Sequence, residues 1–310
     1  MKKRKFKLTI RMRDAFTGYM FILPWLIGFF GLALYPVIYS FIISVNYVTF
    51  APGQVTMDYV GFINYFQAIN HDLNFVPFLI NDLRFISVSI FIVLIFSLII
   101  AVMLNGKYRF RALLRLIFFL PVVIISGPIV RDLLGTIDNF NFDIDVVIIA
   151  IFNIIPYQFI SPVIFVLTNL VPMMWFSGVQ ILIFLAGLQK IDRSVYEAAE
   201  IDGAGKWECF WKITLPHMKL LILINIIYTI VEIANFAGTD NVMAYFQSVD
   251  EPTGFVQANQ VNSYILRNVV QVTSPFSFSA AMSWIYTAAI LALILIVFGG
   301  YKIFDRGANK

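Results

Sequence analysis

The sequence predicts an all-α integral membrane protein, and three observations predict it. Of its 310 residues, 60% are apolar and only 13% charged, whereas a soluble domain carries about a quarter charged. The apolar residues are gathered into runs of the roughly 20 residues that a helix needs to cross about 30 Å of hydrocarbon. The basic residues, finally, sort by loop.

Six runs are long enough. Tyr19 to Val45 comes first. A basic segment precedes it, as in a secretion signal, but its length and the lack of a small-x-small cleavage site make it a retained anchor. Phe85 to Leu104 is the second span and Leu113 to Val130 the third, where Pro121 and the Gly127-Pro128 pair should kink the helix. Pro162 to Leu188, Met218 to Ala237 and Ala280 to Phe304 complete the set. Val146 to Ile155, bounded by Asp143, Asp145 and Pro156, is too short to span and suits an interfacial helix, and the role of 141–160 is left open.

Charge sets the topology. All of the 22 basic residues except Arg84, Arg131 and Arg267 fall in the N-terminal tail, in two alternate loops (Lys107 to Arg115, Lys190 to Lys219) or at the C-terminal end. The other loops collect Asp58, Asp72, Asp138, Asp143, Asp145 and Asp250. Under the positive-inside rule this alternation gives six spans with both termini in the cytosol.

The largest cytosolic loop holds "YEAAEIDGAGKWECFWKITLP", Tyr196 to Pro216, a polar island in an apolar chain. It reads as two short helices around a glycine turn. Val195 to Ile201 is helical by propensity and capped by Asp192 or Ser194, Gly203 and Gly205 break it, and Lys206 to Thr214 forms a second helix that should stop at Pro216. Such an elbow suits docking to something outside the membrane; the alternative is a solvated amphipathic loop.

Glu197, Ala198, Ala199, three residues, Gly203, nine residues, Ile213, one residue, Leu215 and Pro216 reproduce a fixed-spacing signature. In this the chain resembles the permease subunits of bacterial ABC importers, which carry the signature in the loop before the penultimate span. The wording "YEAAEIDGAG", with Asp202, Gly203 and Ala204, is similar to the carbohydrate branch, the maltose and glycerol-phosphate type. After the fifth span, "SVDEPTG", Ser248 to Gly254, departs from the Gly-Gly-Gly-Pro-like segment common in that branch.

The resemblance implies a type I permease fold: a basic tail (1–16), a leading helix (17–45), an extracytoplasmic loop (46–83), the permease domain (84–304, coupling elbow 192–216) and a short tail (305–310). It also implies partners. One chain supplies half of a translocation pathway beside a second permease subunit, an identical chain or a homologue. Two ATP-binding cassette subunits dock at 192–216, and an extracytoplasmic solute-binding protein or lipoprotein delivers the cargo, a carbohydrate such as an oligosaccharide. The import direction and the site in the bacterial plasma membrane follow from the same resemblance. In the elbow, Ala198 and Ala199 permit close approach, Glu197 offers a charge-assisted bond, and Gly203 supplies the turn, with Asp202, Ile213, Leu215 and Pro216 completing the coupling set.

Enzyme chemistry finds little support in the residues. No G-x-x-x-x-G-K-[S/T] cradle for nucleotide phosphates occurs, so ATP and magnesium belong to partner subunits and the chain needs no cofactor of its own. His71 and His217 fall on opposite sides of the membrane and cannot share a metal. The lone Cys209 permits no internal disulfide, and no nucleic-acid partner is expected.

For the pathway, Asn225, Tyr228, Thr229, Glu232, Asn235 and Thr239 recur at spacings of three and four, a polar stripe about 21 Å long on the fifth span. Ser177 and Gln180 of the fourth span and Tyr286 of the sixth add hydroxyl, amide and aromatic groups that suit a sugar. Trp175 and Trp284 fit an interfacial aromatic belt better. Interhelical hydrogen bonding is an equal and compatible reading of the stripe. Two rival functions remain beside an ABC permease for a non-sugar solute: an ion-coupled secondary transporter working through Glu232, and a structural or sensory membrane protein.

Overall fold

The computed structural model of the chain describes residues 10–51, 54–106, 116, 176–235, 260–270 and 276–308. The third predicted span apart from Leu116, the interfacial run 146–155, residues 162–175 of the fourth span, residues 236–237 of the fifth, Thr239, and Ser248 to Gly254 lie outside them. The chain divides into two compact units, one of residues 1–72 and 268–285 and one of 73–267 and 286–310.

In the first unit the leading span is helical from Ile10, earlier than the apolar run begins. It consists of α1 (Ile10–Gly28), a π-helical segment (Phe29–Leu34) and α2 (Tyr35–Ser44). Only 6% of its apolar window is buried within the chain, as expected of a span that faces lipid. The predicted extracytoplasmic loop has structure of its own. Strands β1 (Asn46–Ala51) and β2 (Gln54–Tyr59) form an antiparallel hairpin, and α3 (Ile63–Asn70) comes after it. Asn64 fixes the hairpin to the helix end, its Nδ2 donating to Ser44 O at 2.8 Å and Asn46 O at 3.0 Å, while Ser44 Oγ and Tyr65 OH share a bond of 2.6 Å. Ile43, Val48 and Ala280 pack beneath it.

In the second unit α4 (Phe75–Leu104) begins at Phe75 rather than at Phe85, where the sequence predicts the span. The helix runs through Asp82 because that carboxylate is buried and paired: its Oδ2 accepts Val261 N–H at 3.1 Å, capping helix α10 (Gln260–Val270). Phe78 and Tyr264 stack edge to face across the same pair of helices.

Farther along α4, Val93, Ser97, Ala101 and Leu104 recur at spacings of three and four and are buried. Their small members let α5 (Gly178–Leu188) approach, and Ala101, Leu104, Ile181, Phe184, Leu185, Leu188 and Met218 close one core. From α5 the chain passes through α6 (Arg193–Ile201), α7 (Lys206–Cys209), a π-helical segment (Phe210–Thr214) and α8 (Leu215–His217) into α9 (Lys219–Asn235). The last helix, α11 (Phe276–Ala308), gives its first residues to the first unit and the remainder to the second.

Pro216 does not stop the second elbow helix, which continues to His217. Leu215 N–H bonds Phe210 O, five residues back, so the ladder has already slipped when the missing proline donor arrives, and the turn absorbs it. The break comes at Met218, where Lys206–His217 and Lys219–Asn235 meet at 66°. Among the described residues three helical stretches, Asp14–Ser44, Phe75–Leu104 and Phe276–Ile303, are long and apolar enough to cross a membrane, and a fourth if that bent pair counts as one.

Candidate functional site: an exposed elbow and a buried polar seam

The elbow folds from local signals. Asp192 is the N-cap of α6, its Oδ1 accepting Ser194 N–H at 3.0 Å, and that backbone bond, with a second from the Ser194 side chain, holds the carboxyl below the usual range. At the other end Asp202 is the C-cap and Gly203 turns left-handed with φ +84. Ala204 N–H then reaches Ala199 O at 2.9 Å and Gly203 N–H reaches Glu200 O at 3.1 Å, the paired bonds of a Schellman turn. A Cβ on Gly203 would meet no atom within 4 Å, so the constraint there is backbone conformation and not space. Glu208 caps α7 by accepting Gly205 N–H at 3.2 Å.

The surface this builds is open. Glu197, Ala198, Asp202 and Gly203 are exposed, Ala199, Ile213 and Leu215 are half-buried, and Pro216 is exposed. Glu197 pairs with Arg193 at 2.9 Å and Glu208 with Lys212 at 3.5 Å, both solvent-facing contacts of neighbouring turns. Beside these charges lie apolar groups that a solvated loop would bury: Ile201 is 87% exposed and Trp207 72%, the latter edge to face with Trp211.

The polar stripe of α9 divides. Asn225 and Thr229 are fully buried against α5, where Gln180 is also buried. Gln180 Nε2 donates to Thr229 Oγ1 at 3.0 Å and to Glu232 Oε2 at 2.9 Å, and Asn225 Nδ2 donates to Gln180 O at 3.4 Å. Tyr228 and Asn235 are exposed, Asn235 turning back to Val231 O at 2.8 Å. Ser177 is buried as the N-cap residue of α5. Tyr286 joins from α11, its hydroxyl donating to Ala234 O at 3.3 Å, and Asn262 Nδ2 of α10 donates to the same carbonyl at 2.8 Å. Gln180 Oε1 and Asn225 Oδ1 are buried with no partner among the described residues.

Sequence spacing missed three contacts. Asp82 and Asn262 meet partners far away in the chain, and no local pattern marks such pairs. The third is the pair Tyr196 and Thr214, whose hydroxyls lie 2.8 Å apart.

Residues 19–310 match the family described as binding-protein-dependent transport system inner membrane component. The chain belongs to this family. It is a multi-pass inner-membrane permease component of an ABC transporter that works with a binding protein, and ATP hydrolysis lies in partner subunits. It is 28% identical over 309 residues, 94% of this chain and 88% of the relative, to the arabinooligosaccharides transport system permease protein AraP of Halalkalibacterium halodurans. It is 30% identical over 224 residues, 70% of this chain and 73% of the relative, to the trehalose/maltose transport system permease protein MalF of Thermococcus litoralis. A crystal structure of a bacterial ABC transporter involved in the import of the acidic polysaccharide alginate shares the fold, with a TM-score of 0.63 at 20% identity over 94% of this chain and 97% of that one.

Proposed function

We propose that the permease imports an oligosaccharide, forming half of the pathway beside a second permease subunit, with six spans, both termini in the cytosol and two ATP-binding cassette subunits docked at 192–216. The observation that carries this reading is the elbow: the Glu197 to Pro216 signature folds as an exposed, glycine-turned projection whose charges and aromatic rings find little cover within the chain. Closure of the ATPase pair on ATP would push Glu197, Ala198, Ala199, Asp202 and Gly203 as one body, with Ile213, Leu215 and Pro216 passing the motion to α9. The sugar assignment draws on relatives named for arabinooligosaccharides, trehalose/maltose and lactose.

The pathway residues we propose are Ser177, Gln180, Asn225, Tyr228, Thr229, Glu232, Asn235 and Tyr286. Some face one another across the α5–α9 seam in this conformation. The two amide oxygens there, Gln180 Oε1 and Asn225 Oδ1, are acceptors to which a sugar hydroxyl can donate.

The test is uptake of a labelled oligosaccharide into proteoliposomes containing the whole complex. Uptake should need ATP on the elbow side and survive collapse of the ion gradients. Uptake that persists without ATP and dies with the gradient would instead make Glu232 the coupling group of a secondary transporter. For topology, single cysteines at Gln54 in a Cys209→Ser background should react with an impermeant thiol reagent in intact cells, and those at Gly106 or Lys206 should not.

A further inference from the structure

The two arms of the elbow lack a packed core between them. A cavity of about 240 Å³ lies where α6, α7 and the π-helical segment meet the ends of α4 and α5, with Tyr196, Glu200, Cys209, Phe210 and Thr214 among its walls. Gly203 and Gly205 connect the arms, and a two-glycine hinge resists bending poorly. A push on α6 would therefore be lost in flexing the hinge unless something else ties the arms together.

One tie is present. The hydroxyls of Tyr196, on α6, and Thr214, at the end of the π-helical segment, are 2.8 Å apart, and Thr214 is 6% exposed. Either hydroxyl can donate to the other, and Thr214 Oγ1 also lies 3.4 Å from Cys209 O. The bond joins the residue immediately before Glu197 to the residue between Ile213 and Leu215. Beyond Thr214 the second arm ends on Met218, which is buried against Gly187 of α5: a Cβ on Gly187 would lie 3.0 Å from Met218 Sδ and overlap Leu221 Cδ1.

From these contacts we infer that Tyr196 and Thr214 are positioning residues for coupling. Their hydrogen bond braces the two arms into one rigid lever, whose far end bears on α5 through Met218 and Gly187. The inference rests on the elbow being the ATPase-docking element.

The experiment compares Tyr196→Phe, Thr214→Val, the double variant and Thr214→Ser in the complete complex in proteoliposomes, reading substrate transported per ATP hydrolysed and the amount of ATPase subunit that co-purifies. A neutral hydrogen bond shifts a two-state balance by about two- to tenfold. Tyr196→Phe should lower transport per ATP by that factor with ATPase subunits retained, the double variant should be no worse than the worse single one, and Thr214→Ser, which keeps the hydroxyl, should restore the ratio. Wild-type coupling in Tyr196→Phe, additive losses, a loss in Thr214→Ser equal to that in Thr214→Val, or a loss of bound ATPase subunits would each overturn the brace. Failure of the docking reading is distinguishable, because then Glu197→Lys would leave ATPase co-purification and transport unchanged as well.

Discussion

The elbow and the α9 stripe are built from the same kinds of residue at helical spacing, yet they differ in where those residues point. On the elbow Glu197 faces outward and its ion pair with Arg193 is surrounded by water. On α9 Glu232 is held by Gln180, which is fully buried and also bonds Thr229. A charge in water is free to exchange its partner for a better one on another subunit. The half-buried Glu232 carboxyl is instead held by a donor on another helix, and stranding that buried donor costs more than losing a surface pair. The elbow's side chains thus suit the docking proposed for them, and the seam's bonds join α5 to α9.

This contrast can be broken experimentally. The largest effect is expected at the elbow: Glu197→Lys should reduce ATP-driven uptake by more than about tenfold, the range seen when a charge at a protein interface is opposed rather than paired. Membrane insertion should be unaffected, checked by the yield of folded protein in detergent. If uptake held at the wild-type rate, the elbow would be no more than a solvated loop.

At the seam, Gln180→Leu removes both bonds of Nε2 and should destabilise the protein by about 1–2 kcal/mol, because Thr229 is stranded while the unpaired Oε1 goes too. Thermal unfolding in detergent measures it. Glu232→Gln, which keeps the shape and the hydrogen-bonding capacity, should cost less in the same assay and change uptake by under about threefold. Loss of all accumulation with substrate binding spared would move Glu232 from the seam to a proton-carrying role.

Where α5 meets the start of α9, Gly187→Ala overpacks the contact with Leu221 and Met218 and should cost about 1–3 kcal/mol, tempered by the flexible ends of both side chains. A neutral result in the same unfolding assay would mean the contact is loose enough to slide. The smallest effect belongs to the exposed ion pairs: Lys212→Ala should move the melting temperature by no more than about 1–2 °C.

A cap at Asp192 or Ser194 and the break at Gly203 were legible in the sequence, because capping and left-handed turns depend on a few adjacent residues, and the structure puts the cap at Asp192. The stripe from Asn225 to Asn235 was readable as periodicity, but not its division, since whether a polar side chain meets Gln180 or open surface depends on how α9 is rotated against α5. The stop expected at Pro216 failed because the ladder has already slipped to a π-helical bond upstream, and proline alone carries no trace of that slip.

By itself the sequence determined what depends on composition and short-range chemistry. It placed the apolar runs that α4, α9 and α11 occupy, the polar elbow with its caps and glycine, and the signature from Glu197 to Pro216 that puts the chain among the binding-protein-dependent permeases. Only the tertiary structure decided which polar groups are spent inside. Asp82 capping α10, Gln180 bridging to Glu232, and Tyr196 tied to Thr214 across a cavity all join residues that approach because helices pack. A hydrogen bond between distant segments leaves no periodic mark on either one. Its partners are chosen by distance in space, and local propensity has no hold on that distance.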